Sequence, residues 1–556
     1  MLMIVLLFFA LLSKQASGAV SFDTSAYALA HPCVWSTCKD LPGEEQSYSV
    51  SCCVLQVPLN YAKPNASSIS ISMIRFSPSN VSNNSLFILS GGPGEAGLGT
   101  LSLLLSLIPV EYGITLITPD HRGTGYSTVL TCDDRNSQIV TMDCITYLKN
   151  RWTIEGLNQF TTTAAAHDLA IQIQAAQLTG RISVLGVSYG TYWLNRFLTI
   201  YPNLVQATVM DSPVHPLLHA FSMYNIRASS MALQYLAYCS YQVECSRYFL
   251  QDSPMIMLHK ILREIDSNQQ SCMNRYFQKY NLTSQKLKST FFSLFQFPST
   301  DGTVIPAIIY RLNRCNEEDR LSLDFFFQKQ QSSLSSSSNE PATTETDGPI
   351  PFSRVLHYNI AFSELWLYMN QSEVDQQTLD SWQNTTIVAP ELESNYVALK
   401  DAWPKYPLDE YRFRLADSPI MMINGQLDAA TPLDFAAHLA SLTSETRTLY
   451  AIPLSGHVVP YFTVTTTREC PLHLILSWAF PSLFPTEWSN AACIKDLPIT
   501  IDFVGVTELT RASSRQFLNI SLPFGNPNAS ALANHAAFHS SIALLIFICS
   551  SLISIG

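Results

Sequence analysis

Charge is scarce in this chain. Only 13% of its 556 residues are Asp, Glu, Lys or Arg, against 47% that are hydrophobic. So thin a charged shell leaves part of the solubility to other groups, and attached sugars are the expectation. What charge there is runs acidic, with a net of −11, which argues against nucleic acid as the main partner. C-x-x-C pairs and histidine clusters at zinc-like spacing are missing, so no metal and no other cofactor is expected. No internal repeat is evident, which excludes a repeat architecture. No Lys or Arg precedes the apolar run from Ile4 to Leu12, so the usual basic start of a secretory signal is weak. Small residues at Ala16/Gly18 or Ser17/Ala19 nevertheless suit signal-peptidase cleavage, and residues 1–19 read as a signal peptide.

Cysteine, by contrast, is plentiful. Of the 13 cysteines, Cys549 lies in a terminal apolar tail, and the remaining even set suits an oxidising compartment. Local spacing favours Cys132–Cys144, Cys239–Cys245 and Cys470–Cys493, with Cys272–Cys315 looser. Cys33, Cys38, Cys52 and Cys53 are expected to pair among themselves in an order that spacing leaves open. Asn-x-Ser/Thr sequons stand at Asn65, Asn80, Asn83, Asn281, Asn370, Asn384, Asn519 and Asn528, and several are expected to carry glycans. At the end, Asn528-Ala529-Ser530 is followed by a short spacer and the apolar run Ile542 to Ile555. That run is short for a membrane span and lacks basic anchors. Its layout suits removal of residues 529–556 as a GPI-attachment signal, with attachment at Asn528. Asn528 cannot readily be both attachment site and glycan acceptor.

The length suits a large core carrying an insertion. Strand-like runs occupy residues 54–59, 68–76, 85–89, 114–118, 182–185 and 207–210, and a helix-like run spans 161–178 as the crossover of a βαβ unit. From Val214 the rhythm changes to aromatic, Met-rich and Gln-rich helical sequence as far as Pro404. Within it lies a serine-rich run, 332–347, read as a loop. Strand, helix and strand patterns return at 419–425, 433–442 and 446–452. The expected division is therefore 20–213 and 405–528 as two parts of one mostly parallel α/β domain with helices on both faces, and 214–404 as a helical cap inserted over it.

The chain is organised around Gly186-Val187-Ser188-Tyr189-Gly190, set between an apolar strand and a helix. That is the context a nucleophile elbow requires. A serine hydroxyl needs a general base, and the base needs a third group to fix its tautomer. In an α/β-hydrolase these follow in the order Ser, acid, His. Ser188, Asp428 and His457 occur in that order, and each follows a predicted strand, so all three fall at one sheet edge. Asp211 is the runner-up acid. His121, His167 and His215 are less well placed as bases. The oxyanion that forms during hydrolysis needs N–H donors. Tyr189 should supply one, and Gly92 in the turn Ser90-Gly91-Gly92-Pro93-Gly94 the other.

Taken together, Gly91-Gly92-Pro93-Gly94, Asp120-His121-Arg122-Gly123-Thr124-Gly125-Tyr126-Ser127, the elbow, and Asn424-Gly425-x-x-Asp428 with Thr431-Pro432 resemble the serine aminopeptidases of the α/β-hydrolase fold. Prolyl aminopeptidases and secreted tripeptidyl aminopeptidases belong to that family, and Val57-Pro58-Leu59-Asn60-Tyr61 resembles the opening of the secreted branch. The match covers about residues 50–215 and 415–475. It implies an acyl-enzyme route that releases residues or short peptides from a free N-terminus. It also implies that Asp120 and Arg122 are structural pins. The chain departs from the family at Ser90, where prolyl aminopeptidases often have His, and at Glu95, where relatives usually have a small residue. Glu95 is the weak candidate for holding a substrate's α-ammonium, a solvated side chain being the simpler expectation. Acidic residues for that amine should lie in the cap, which carries no motif that names them. An esterase or lipase with the same triad, and a silent hydrolase fold used for surface recognition, are the alternatives.

Overall fold

This computed structural model describes residues 22–267, 270–338, 349–390, 396–443, 445–463 and 469–525. Among them nine strands form one sheet: β1 (Glu44–Glu45), β2 (Tyr48–Pro58), β3 (Ser68–Pro78), β4 (Asn84–Leu89), β5 (Thr115–Pro119), β6 (Arg181–Val187), β7 (Ala207–Asp211), β8 (Ile420–Gly425) and β9 (Arg447–Ile452). Their order is β1-β2-β3-β5-β4-β6-β7-β8-β9. β1 through β3 and the β3–β5 pair are antiparallel, and every pairing from β5 to β9 is parallel. The composition of the strands explains the difference. β2 alternates buried and exposed residues, as a strand with one solvated face does. β5, β7 and β8 are buried at every position, as parallel strands covered on both faces must be.

Successive side chains of one strand feed opposite layers. Phe87, Leu89, Met210 and Met422 join the core formed with helices Thr162–Ala175 and Tyr189–Ile200. Leu86, Ile88, Val209, Met421 and Ile423 join the core under helices Gly97–Leu105 and Glu469–Ala479. The chain order reverses around β4, which lies between β5 and β6. A crevice therefore opens beyond the carboxyl ends of β4 and β6.

Between β7 and β8 the chain leaves the sheet and forms a run of helices, the longest being Tyr224–Tyr241 and Glu317–Ser338. The serine-rich run expected as a loop is helical as far as Ser338, and residues 339–348 lie outside the described residues. The inserted helices have a core of their own, built on Tyr235, Leu258, Phe291, Ile308 and Phe326. Residues near the C-terminus share it. Ile501, Phe503, Phe517, Leu518 and Phe524 pack into the same cluster, and Arg311 Nε donates to the Pro523 carbonyl at 2.8 Å. The stretch around helix Glu508–Leu518 thus crosses back onto the insertion, whereas the sequence division places all of 405–528 with the sheet. Its apolar residues find their partners on the inserted helices, and the small polar residues Thr510, Ser513 and Ser514 are buried with them. The expected signal (1–19) and tail (529–556, with Asn528) lie outside the described residues.

One buried ionic knot ties the insertion to the core. Glu364, at the end of helix Arg354–Glu364, accepts from Tyr192 Oη at 2.7 Å and Arg196 Nη2 at 2.9 Å with one oxygen. The other oxygen accepts from Tyr406 Oη at 2.7 Å and the Thr162 N–H at 3.1 Å. Arg196 and Glu364 are each only 2% exposed. Burial alone would raise the Glu364 pKa, but the charges of Arg196 and Arg412 outweigh it and hold the carboxyl down at about 2. All the disulfides expected from spacing form, and the N-terminal four pair as Cys33–Cys53 and Cys38–Cys52.

Removing one charge from a buried pair leaves the other uncompensated. Glu364→Gln should therefore cost about 3–5 kcal/mol at pH 7, read as a lower midpoint in urea. Because the folded-state pKa is depressed, this contribution is present above the ordinary carboxylate range and fades as pH falls toward 2. The gap between wild type and variant should close over the same interval.

Candidate active site

β6 ends at Val187, and the chain turns at Ser188 with φ 53° and ψ −123° before helix Tyr189–Ile200 begins. A non-glycine residue adopts that backbone only when its surroundings force it. The forcing is visible on both sides. A Cβ on Gly186 would lie 2.5 Å from the Gly190 carbonyl oxygen, and one on Gly190 only 2.2 Å from that of Leu89. Larger side chains would push β4, β6 and the helix apart. The Ser188 N–H donates to the Asp211 carbonyl at 3.0 Å, and its own carbonyl accepts from Thr191 Oγ1 at 2.6 Å. The side chain is lifted toward the crevice.

Asp428 follows β8 and is fully buried. One of its oxygens accepts from the N–H groups of Ala430 and Thr431, both at 2.8 Å. The other accepts from Thr431 Oγ1 at 2.8 Å and from His457 Nδ1 at 2.9 Å. The aspartate is thus both a turn former and the partner of the histidine. A proton held on Nδ1 leaves Nε2 as the basic nitrogen. Burial would lower the His457 pKa, but the Asp428 charge and hydrogen bond outweigh it, with smaller help from Asp211 and Glu95, and the net shift is upward. For Asp428 the same pairing overcomes a burial effect of opposite sign, and its pKa falls.

The runner-up acid has a different task. Asp211 Oδ1 accepts from the Val459 N–H at 3.1 Å and from Ser212 Oγ at 3.1 Å, while Ser212 Oγ accepts from the Val458 N–H at 3.0 Å. Asp211 and Ser212 therefore hold the backbone just beyond His457 rather than its ring. Complete burial pushes the Asp211 carboxyl up to about 7. The other histidines are occupied elsewhere. His121 is hydrogen-bonded with the Arg122 carbonyl through Nδ1 at 2.7 Å and lies 3.2 Å from Tyr189 Oη through Nε2. His167 meets Tyr201 Oη at 2.6 Å, and His215 meets His438 at 2.9 Å. Asp120 accepts from the Gly97 and Tyr126 N–H groups, each at 2.8 Å. Arg122 is clamped by buried Asp168 at 2.6 and 2.7 Å. Both act as pins. Asp168 had no sequence signal, being one polar residue on an otherwise ordinary helix.

Ser188, His457, Gly92 and Tyr189 line one cavity of about 270 Å³. Tyr189 is the first residue of its helix, so its N–H has no partner in the preceding turn. Gly92, at φ +103°, shapes the opposite wall. Ser188 and His457 share this cavity without a direct hydrogen bond, as substrate-free sites often do before a ligand tightens them. The insertion supplies the roof through Val214, His219, Phe221, Tyr224, Gln296 and Leu365. None of these carried a legible motif. A second cavity of about 840 Å³ adjoins the first at Gly92, Phe221 and Tyr224 and is walled by aromatics including Phe292, Phe352, Trp366 and Tyr396. Glu95 overturns the solvated expectation. It lines the smaller cavity, its Oε2 accepts from the Gly91 N–H at 3.2 Å, and burial raises its pKa despite that bond and one with Thr100. The acidic cap residues expected for an amine do not line either cavity among the described residues.

The sequence profile described as alpha/beta hydrolase fold matches residues 84–292. This chain folds as an α/β-hydrolase. Among curated relatives, the tripeptidyl aminopeptidase of Streptomyces coelicolor is 28% identical over 196 residues, covering 30% of this α/β-hydrolase and 36% of that protein. Serine protease Hip1 of Mycobacterium tuberculosis is 26% identical over 212 residues, covering 34% and 41%. The chain thus spans well under half the length of these relatives. Among solved structures, the proline iminopeptidase of Mycobacterium smegmatis aligns over 77% of this chain and 99% of its own, with 12% identity and a TM-score of 0.35.

The Asp428–His457 pairing has a direct readout. By histidine NMR titration, His457 should change charge above its ordinary 6.5. In Asp428→Asn the burial effect is left unopposed by that carboxylate, so the midpoint should move down. An unmoved midpoint would show that the pair does not set the ring's basicity.

Proposed function

We propose that this protein is a serine peptidase that cleaves peptides near a free N-terminus by way of an acyl-enzyme. The observation that carries the reading is the 2.9 Å bond between His457 Nδ1 and Asp428 Oδ2, placed on the cavity that also holds the strained Ser188. Ser188 Oγ attacks the scissile carbonyl while His457 Nε2 takes its proton. Asp428 stays ionised and stabilises the imidazolium. The oxyanion turns toward the Gly92 and Tyr189 N–H groups. His457 then gives its proton to the leaving amine, and a water activated by the same ring releases the acyl group. The names of the relatives, an aminopeptidase and a serine protease, support peptides over simple esters as substrates.

We also propose that the protein works outside the cell. Disulfides across the described residues support an oxidising compartment. So do the exposed positions of Asn65, Asn80, Asn83, Asn281, Asn370, Asn384 and Asn519, which leave those sequons accessible to glycosylation. The tail reading adds a GPI anchor at Asn528. Among the described residues no helix is long and apolar enough to cross a membrane.

Ser188→Ala should lower peptide turnover about a million-fold and abolish labelling by a fluorophosphonate probe, with secretion intact. A digest of peptides with free and acetylated N-termini should show cutting of the free set. Equal cutting of both sets would remove the exopeptidase reading, and cutting of esters alone would make the protein an esterase. The acid limb of kcat/KM should have its midpoint above 6.5, because the base must be neutral and Asp428 raises its pKa.

A further inference from the structure

An enzyme that selects free N-termini must pair a cationic amine with something. In the cavity that holds Ser188, Glu95 is the one carboxylate among the described lining residues, and no Lys or Arg lines it. The adjoining larger cavity carries no carboxylate among its described lining residues and has Arg354 on its wall. Glu95 forms no ion pair within the described chain. One of its oxygens is held by the Gly91 N–H at 3.2 Å, which fixes where the charge stands. The position is close to the nucleophile. A methyl group placed on Gly91 would lie 3.1 Å from Ser188 Cβ and 3.3 Å from Glu95 Oε2, so serine and carboxylate flank a single methyl-sized gap.

That separation is informative about substrate length. The α-nitrogen of a terminal residue is two bonds from that residue's own carbonyl carbon. Each residue placed between amine and scissile bond adds about 3.3–3.6 Å, so the amine of a tripeptide acyl group lies roughly 7 Å further from the nucleophile. Building on the peptidase reading above, we propose that Glu95 binds the α-ammonium of the substrate and that its nearness to Ser188 sets the cut after the first residue. The enzyme would then release single amino acids, with the rest of the peptide leaving through the larger aromatic cavity. An ammonium–carboxylate pair screened from water by the roof is a strong, charge-assisted contact.

The test uses the full-length protein and three probes: alanyl-, N-acetylalanyl- and trialanyl-7-amido-4-methylcoumarin. Rates are counted per fluorophosphonate-labelled Ser188, so a misfolded fraction drops out. Wild type should prefer the free over the acetylated alanyl substrate, and Glu95→Gln should reduce that ratio of kcat/KM about 10- to 100-fold. Mass spectrometry of the trialanyl digest should show free alanine as the first product, a measurement that needs no variant. An unchanged ratio in Glu95→Gln, or intact trialanine as the first product from wild type, would overturn the proposal. Labelled Ser188 with no amide hydrolysis in wild type would instead remove the peptidase reading, and Glu95's role with it.

Discussion

Three backbones meet at the elbow with no room for a side chain between them. Gly190 faces the Leu89 carbonyl, Gly186 faces Gly190, and Ser188 takes up a positive φ because nothing else closes the turn. The strain belongs to packing, since β4 and β6 are paired along their whole length and the helix cannot retreat from them. Every other part of the site is measured from this point. The carboxyl end of β4 carries Gly91 and Gly92, that of β7 carries Asp211 and Ser212, and the ends of β8 and β9 deliver Asp428 and His457.

Around the elbow, carboxylates share out the work by their surroundings. Asp428 has a buried cationic partner in prospect and stays acidic. Asp211 is hydrogen-bonded only by N–H and O–H donors, so burial dominates and pushes its carboxyl up to about 7, while its contact with the His457 loop serves as a scaffold. Glu364 lies beyond the site, under two arginines, and remains ionised to hold the roof's helices onto the elbow helix. The roof residues Phe221 and Leu365 depend on that attachment. Their backbones are joined, the Phe221 N–H donating to the Leu365 carbonyl at 2.8 Å. Leu365 follows Glu364 directly.

The sheet and its elbow were legible because they are local. Apolar runs of strand length, punctuated by glycine and proline, mark β3 through β9 within a few residues but only the second half of β2, and chain order alone pairs Asp428 with His457. The insertion was legible only as a change of texture. Its helices choose partners by shape, and nothing in the spacing of Phe326 or Tyr235 shows that Phe503 and Phe517, far along the chain, will complete their core. The burial of Glu95 was hidden for a similar reason. A glutamate between a glycine turn and the helix Gly97–Leu105 reads as solvated until the roof above it is known. Asp168 and Glu364 are of the same kind, single charges whose partners are brought by tertiary contact. The four N-terminal cysteines were open in order because their pairing depends on the register of β2.

The placement of the insertion also bears on how the chain is made. β7 is a central strand, buried at every position, and its outer neighbour β8 begins only at Ile420. At synthesis rates of about 5–20 residues per second, the nascent protein carries an unpaired apolar edge for about 10–40 s before that neighbour emerges. During this interval the half-built sheet is open to pairing with the wrong strand. Biogenesis of this fold therefore leans on whatever shields an unfinished sheet in the compartment where it is born.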